Sequence, residues 1–248
     1  MKKIMLIAGC SHAAGSEIDG TEDSLYNREH TFGNLLATNY EYTPVNIALN
    51  GATNSGIARS VLYWFKHHYD PNTMEVAALV SWTESTRIEA PSKHTSSYDL
   101  SSRNPDWFDD TCKNFYRINL GYDGYDAEEK EITKYFHNFI VRNNPFLEIM
   151  SANWILQLQY FFNMHKVKYM MCNTLHMFTL PNKHIQYYTD LIDKTRYINW
   201  DNNDRSFFWY YKNIGYFNPK AKYWHHNEVP HSLYATELCK FAGENQCF

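Results

Sequence analysis

Residues 4–12 read IMLIAGCSH, an apolar run that ends at a glycine and leads directly into Cys10, Ser11 and His12. A short continuous run of this kind is typical of a parallel β-strand that is buried on both faces. The polar residues follow the end of this predicted strand, so we expect them at the carboxyl edge of the sheet. Open α/β sheets bind their ligands at that edge.

Two further apolar runs, Pro44–Leu49 and Val76–Trp82, read as strands, and the segments Phe32–Tyr40 and Ile57–His68 between the strands have helical spacing. An order of strand, helix, strand, helix, strand predicts a parallel sheet. Right-handed crossovers then bring the loops after the strands together at one edge. The predicted fold class is α/β, a flavodoxin-like three-layer α/β/α sandwich with a mostly parallel sheet.

The middle of the chain loses this pattern, and we predict an insertion or lid at about 86–144, because a connection of this length is unusual in a compact domain. A helix is predicted from Pro145 to His165, a fourth strand at Lys168–Cys172 and a closing helix at Ser232–Ala242. We expect a single domain that spans residues 1–248. The sequence does not predict the oligomeric state.

The composition excludes several classes of protein. A hydrophobic share of 44% with 20% charged residues excludes a disordered chain, and a net charge of −4 argues against nucleic acid as a partner. No run approaches the roughly 18 apolar residues of a membrane span. The aromatic share of 17% indicates either stacking surfaces for sugars or an irregular core.

The cysteines and the amino terminus bear on the cellular compartment. Five cysteines without tight spacing predict free thiols in a reducing compartment. Lys2-Lys3 followed by Ile7–Cys10 imitates a lipoprotein cleavage site, but the apolar stretch is shorter than the about 7 to 15 residues of a signal peptide. We therefore expect a cytoplasmic protein.

Two loops after predicted strands carry candidate catalytic groups. Ser11 can act as a nucleophile if a base lies nearby, or it can simply cap a helix. In the segment Asn46–Thr53, the N–H of Gly51 can stabilise an oxyanion, or the glycine can merely permit a tight turn.

The loop after the third strand, Ser81–Arg87, is rich in hydrogen-bond donors. Thr83 can add a second oxyanion contact. We expect Trp82, Arg87 and His12 to contact the substrate. Arg87 can hold an anionic group, although a surface ion pair with Glu84 or Glu89 is the commoner arrangement for such a residue.

The last cluster reads HHNEVPH at residues 225–231, just before the closing helix. Glu228 and His231 are three apart, so the carboxylate can accept the Nδ1 proton and leave Nε2 facing a serine. The alternative is a metal site that uses His225, His226, Glu228 and His231. We do not expect a metal, because no second ligand cluster is evident and the cysteines are scattered.

In order and position, these four clusters resemble the blocks of the SGNH (GDSL-type) hydrolase superfamily. Gly9–Ser11 matches the family's Gly-Asp-Ser segment except that Cys10 replaces Asp, and Asn46–Thr53 resembles its glycine block. The third block, Gly-x-Asn-Asp, corresponds by position to Ser81–Glu84, which has no asparagine. Glu228–His231 stands where the family has Asp-x-x-His. The resemblance covers the beginning and the end of the chain.

The resemblance implies a serine esterase or acyl hydrolase that needs no cofactor. Ser11 would be the nucleophile, His231 the base and Glu228 the residue that orients it, with the oxyanion held by Ser11, Gly51 and Thr83. The substrate would be a small-molecule or glycan ester, and the aromatic content favours an O-acetylated carbohydrate. The alternatives are a non-catalytic module that binds a glycan or a partner protein, and an acyltransferase that uses the same serine.

Overall fold

The computed structural model describes residues 1–21, 24–91, 115–119, 127–136, 138, 145–178, 182–216 and 218–248. Its strands are β1 (Lys2–Ala8), β2 (Thr43–Asn46), β3 (Met74–Trp82), β4 (Arg87–Pro91), β5 (Phe115–Asn119) and β6 (Lys168–Asn173). Its α-helices are α1 (Ser11–Ala14), α2 (Leu25–Glu29), α3 (Phe32–Asn39), α4 (Asn54–His68), α5 (Ala127–Phe136), α6 (Phe146–Met164), α7 (Gln186–Asp190), α8 (Phe207–Asn213) and α9 (Glu228–Glu244).

Four parallel strands form the main sheet in the order β2-β1-β3-β6. Strand β1 is central and pairs with β3 along its whole length, from Lys2 opposite Met74 to Ala8 opposite Val80. The order, in which the chain adds strands on both sides of β1, confirms the predicted parallel α/β fold class. All four strands therefore bring their carboxyl ends to one edge.

Helices cover both faces of the sheet, which explains the uninterrupted apolar run of β1. Ile4, Leu6 and Ala8 point into a core shared with α4 and α6. Met5 and Ile7 point to the opposite face and pack with α3, α8 and α9. Successive residues of a strand face opposite sides, so burial on both sides requires an apolar residue at every position. The three-layer arrangement is as predicted.

Some element bounds differ from the prediction. β2 ends at Asn46 instead of Leu49, although backbone hydrogen bonds from Ile47 to Ile7 and from Leu49 to Gly9 continue its path beside β1. The closing helix α9 starts at Glu228, because the side chain of Asn227 caps it by accepting the N–H of Val229.

The segment 86–144 is described only in part. Strands β4 and β5 form a two-stranded antiparallel sheet, and α5 follows them in the chain. The rest of the predicted insertion lies outside the described residues, and its role as a lid stays a prediction. The sequence analysis also missed α8, whose aromatic sequence FFWYY has no helical period.

Four of the five cysteines lie in the described part of the chain, and Cys10, Cys172, Cys239 and Cys247 are all free thiols. Cys112 lies outside it. Among the described helices, none combines the length and the apolar character that crossing a membrane requires.

Candidate active site

Ser11 lies where β1 turns into α1, at the carboxyl edge of the sheet. The turn passes through Gly9, where a Cβ would lie 2.6 Å from the Cβ of Ala13 and 2.9 Å from the carbonyl oxygen of Ser81. Only glycine allows β1, β3 and α1 to approach so closely. Ser11 is the first residue of α1 and is 9% exposed. Its N–H is therefore among those that have no carbonyl partner within the helix.

The structure does not bring His231 and Glu228 together. His231 is buried between the rings of Phe32 and Phe207, and its Nδ1 accepts the backbone N–H of Phe32 at 3.2 Å. The carboxylate of Glu228 instead accepts a hydrogen bond from the Tyr26 hydroxyl and lies 4.0 Å from His30 Nε2. The expected pair of Glu228 with Nδ1 of His231 is absent, because a backbone donor already occupies that nitrogen.

The tautomer of His231 also opposes a role as base. Since Nδ1 accepts a hydrogen bond, the neutral ring carries its proton on Nε2. A base of the serine-hydrolase type needs the reverse arrangement, with the proton on Nδ1 and a lone pair on Nε2. Burial, followed by the nearby His226 and His225, lowers the pKa of His231 well below its usual value. In this structure the His231 ring is buried in the core, and its Nδ1 already has a partner.

His225 has the arrangement that His231 lacks. Its Nδ1 lies 2.6 Å from Oε2 of Glu17, and the two residues are 9% and 2% exposed. An ionised carboxylate can only accept a hydrogen bond, so Nδ1 carries the proton and Nε2 of the neutral ring is the acceptor. The backbone N–H groups of Lys222 and Tyr223 also donate to this carboxylate, at 2.7 and 2.9 Å.

Glu17 is held as an anion in a strained backbone conformation. Burial raises its pKa, but hydrogen bonds from His225, Tyr223 and Lys222 outweigh burial, and the pKa is lowered overall. Its φ is +62°, in the left-handed region that costs a non-glycine residue on the order of 1–3 kcal/mol. The buried amide of Asn218 donates to its carbonyl oxygen at 2.7 Å. The surrounding loops keep the carboxylate in place.

His12 connects Ser11 with His225. Its ring centroid lies 4.7 Å from that of His225 and 6.2 Å from that of His226. Because His12 directly follows Ser11 in α1, the Ser11 turn and His225 belong to one cluster. Within the described residues, no hydrogen bond joins Ser11 Oγ to a ring nitrogen. Burial, with the neighbouring histidines as the next cause, lowers the pKa of His12 well below its usual value.

The candidate oxyanion donors lie in the next two loops. Gly51 has a φ of +68°, so the turn itself requires a glycine there. Thr83 is fully buried, and its N–H donates to Asn54 Oδ1 at 3.0 Å. Its hydroxyl is buried and has no hydrogen-bond partner in the described part of the chain. Of the two hydrogen-bond donors of Thr83, the N–H is therefore engaged, and the buried hydroxyl is the one that remains.

Two of the predicted substrate contacts have other roles in the structure. Trp82 is fully buried in the core layer under α4 and α6, where a substrate would not reach its ring. Arg87 donates from Nε to Glu84 Oε1 at 2.7 Å, one of the ion pairs that the sequence left open. Arg87 is also the last of the causes that lower the pKa of His12, after burial and three histidines.

The three histidines of segment 225–231 have different hydrogen-bond partners. His225 contacts Glu17, Nε2 of His226 lies 3.0 Å from the carbonyl oxygen of Phe208, and His231 accepts from Phe32. Across the residues that the structure describes, no group of three or more His, Cys, Asp or Glu side chains is arranged to hold a metal ion.

The sequence analysis missed Glu17 and assigned His225 only to the rival metal site. The loop of Glu17 has no periodic pattern that singles out this residue. For His225 a usable signal exists, since it comes two residues before Asn227, the cap that begins α9. In this parallel α/β fold a residue just before α9 lies near the carboxyl edge of the sheet, whereas His231, one turn into α9, is buried in the core.

A scan against protein-family models finds no match, and a search of curated proteins finds none either. Among solved structures, the chain is similar to the psychrotrophic esterase EstA from Pseudoalteromonas sp., with 10% identity, 97% of each chain covered and a TM-score of 0.42. An acetyl xylan esterase from the rumen bacterium Butyrivibrio proteoclasticus shows 13% identity over 99% of this chain and 64% of its own, with a TM-score of 0.47. A carbohydrate esterase family 2 enzyme from Corynascus thermopiles (Myceliophthora fergusii) shows 13% identity over 100% and 68%, with a TM-score of 0.44.

Proposed function

We propose that this protein is a serine esterase in which Ser11 is the nucleophile, His225 the base and Glu17 the carboxylate that orients the base. One observation carries the proposal: the buried contact of 2.6 Å between Glu17 and His225, next to the turn that holds Ser11. This assignment replaces His231 and Glu228, whose side chains have other partners.

The chemistry follows from the tautomer of His225. Nε2 takes the proton of Ser11 Oγ while the oxygen attacks the ester carbonyl, and the positive charge that forms on the ring faces the Glu17 carboxylate. The same proton then passes to the departing alkoxide, which leaves an acyl-serine. Water, deprotonated by His225, hydrolyses the acyl-serine. The N–H groups of Ser11 and Gly51 are the proposed donors to the oxyanion. The buried hydroxyl of Thr83 is a third candidate, which substitution of this residue by valine tests.

The proposed substrate is an acyl ester of a small molecule or a glycan, with an O-acetylated carbohydrate as the favoured case. Exposed aromatic rings next to His225 support a sugar, since Tyr223 is 50% and Trp224 is 58% exposed. An acyltransferase would use the same serine and differ only in the acceptor. The mechanism needs no cofactor. The four described free thiols fit the cytoplasmic location that we propose.

A fluorophosphonate probe tests the assignment, with the modified residue identified by mass spectrometry. We expect labelling at Ser11 in the wild type, and none in Ser11→Ala or His225→Ala. The matched variant His231→Asn keeps an acceptor for the Phe32 N–H and should still be labelled. Labelling that requires His231 but not His225 would contradict our choice of base. A folded wild type that is not labelled at all would favour the non-catalytic binding module.

A further inference from the structure

A group of aromatic rings on α8 and on the loop before α9 borders the His225 cluster, and one lysine lies among them. The ammonium of Lys212 is 4.6 Å from the ring centroid of Trp209 and 5.4 Å from those of Phe208 and Trp224. Trp224 directly precedes His225, and the ring of Phe208 lies 5.3 Å from that of His12. We call Lys212, Phe208, Trp209 and Trp224 the aromatic rim.

The aromatic rings hold the Lys212 ammonium in place but do not neutralise its positive charge. Aromatic faces attract an ammonium through their quadrupole, without supplying the negative charge that would cancel it. Within the described ranges, no carboxylate lies within ion-pair distance of Lys212. Its field reaches the site, because Lys212 is one of the causes, after burial, that lower the pKa of His226. The positive charge of Lys212 therefore lies close to the histidine cluster.

Trp224 is exposed in a backbone conformation that disfavours a bulky residue. It is 58% exposed and has a φ of +67°. A large side chain in the left-handed region is uncommon and costs free energy, and such strain occurs often at ligand sites. The chain just before it is held by the hydrogen bonds from Lys222 and Tyr223 to Glu17. The same loop thus holds the carboxylate of Glu17 against His225 and carries the indole of Trp224 next to His225 in sequence.

We propose that the aromatic rim recognises an acidic sugar, whose ring stacks on the exposed indole of Trp224 while its carboxylate pairs with the Lys212 ammonium. As a statement about the substrate of the reaction, this proposal rests on the proposed esterase function. It narrows the substrate class to esters of acidic glycans. A cationic ligand is disfavoured, because it would have to displace the lysine that already lies over these rings.

Binding of oligosaccharides to the full-length chain tests the proposal. By isothermal titration calorimetry, a galacturonic acid pentamer should bind the wild type at least about tenfold more tightly than neutral xylopentaose, a difference of about 1.4 kcal/mol. Lys212→Met should lose that preference, and added salt should weaken the acidic ligand alone. Lys240→Met removes the same charge from an exposed position on α9 and should bind like the wild type.

Equal binding of the two pentamers, no binding of the acidic one, or a preference that survives Lys212→Met would each overturn the proposal. The same titrations on Ser11→Ala, which cannot form an acyl-serine, separate recognition from catalysis. Acidic-sugar binding without probe labelling at Ser11 would support the rim and reject the esterase. Labelling without such binding would reject the rim alone.

Discussion

For single residues, the chemistry depends on which ring nitrogen of each histidine carries the proton. His225 and His231 stand six positions apart, yet Nδ1 of the first faces a carboxylate and Nδ1 of the second faces a backbone N–H. When neutral, the first ring therefore has its lone pair on Nε2, whereas the second carries its proton there. Glu17 makes the difference, because its buried carboxylate contacts His225 and not His231.

Replacing Glu17 by Gln removes the charge and nearly preserves the shape. The neutral amide cannot stabilise the His225 imidazolium, and it can hold the wrong tautomer. We expect Ser11 labelling and ester hydrolysis to slow by roughly two to four orders of magnitude. Glu228→Gln is the control and should keep the wild-type rate. If the two variants slow the reaction alike, Glu17 has no special role.

Replacing Thr83 by Val tests its side-chain hydroxyl as an oxyanion donor. The change removes a hydroxyl that has no partner among the described residues, so we expect little change in the free energy of unfolding. If the hydroxyl stabilises the oxyanion, kcat should fall by roughly 100-fold to 1000-fold, as for other donors of this kind. An unchanged kcat with unchanged stability would mean that Thr83 only fills space.

At the scale of elements, the turn from β1 into α1 holds the site together. Gly9 lets α1 begin directly against β3, and the first turn of α1 then carries both Ser11 and His12. On the other side, Asn227 starts α9, so that His225 and His226 stay on the loop before it. Helix boundaries, and not the spacing of motifs, determine which side chains face the edge of the sheet.

Gly9→Ala should therefore destabilise the protein. The added Cβ would lie 2.6 Å from Ala13 Cβ and 2.9 Å from the Ser81 carbonyl oxygen, and backbone must move to relieve the contact. We expect a loss of about 1–3 kcal/mol, measured as a lower urea midpoint. Gly243→Ala is the matched control within α9, where the nearest atom is Tyr40 Oη at 3.8 Å. It should be neutral or stabilise by up to about 1 kcal/mol.

For the whole molecule, the buried histidines link stability to pH. His12, His226 and His231 each have a lowered pKa, and burial is the largest cause in all three. The unfolded chain takes up protons at these rings below about pH 6.5, whereas the folded chain does not. Stability is therefore present above that pH and is lost as the pH falls through it.

The free energy of unfolding should fall by up to about 1.4 kcal/mol per pH unit for each of the three rings below about pH 6.5. Urea titrations at pH 7.5 and 5.5 measure this slope. His231→Asn should reduce the slope of the free energy of unfolding against pH, and the exposed control His184→Asn should leave this slope unchanged. Glu17 contributes in the same sense at lower pH, because its lowered pKa adds stability that is lost on acidification below about 4.5. Equal stability at pH 7.5 and 5.5 would contradict the prediction.

The sequence by itself determined the parallel α/β fold and the position of Ser11 at the carboxyl edge of the sheet. Both follow from local patterns: apolar runs that end at small or polar residues, alternating with segments of helical spacing. Strand β1 illustrates this, since burial on both faces requires an apolar residue at each position from Ile4 to Ala8. Such information lies within a few residues and needs no knowledge of distant contacts.

The tertiary structure alone decided which histidine and which carboxylate accompany Ser11. Glu17 and His225 are 208 positions apart, and no spacing rule relates them. The spacing of Glu228 and His231 suggested a pair, but α9 begins at Glu228 and directs one side chain to Tyr26 and the other into the core. A hydrogen bond between distant loops depends on the backbone path of both loops. The left-handed φ of Glu17 is set by contacts that form only in the folded protein.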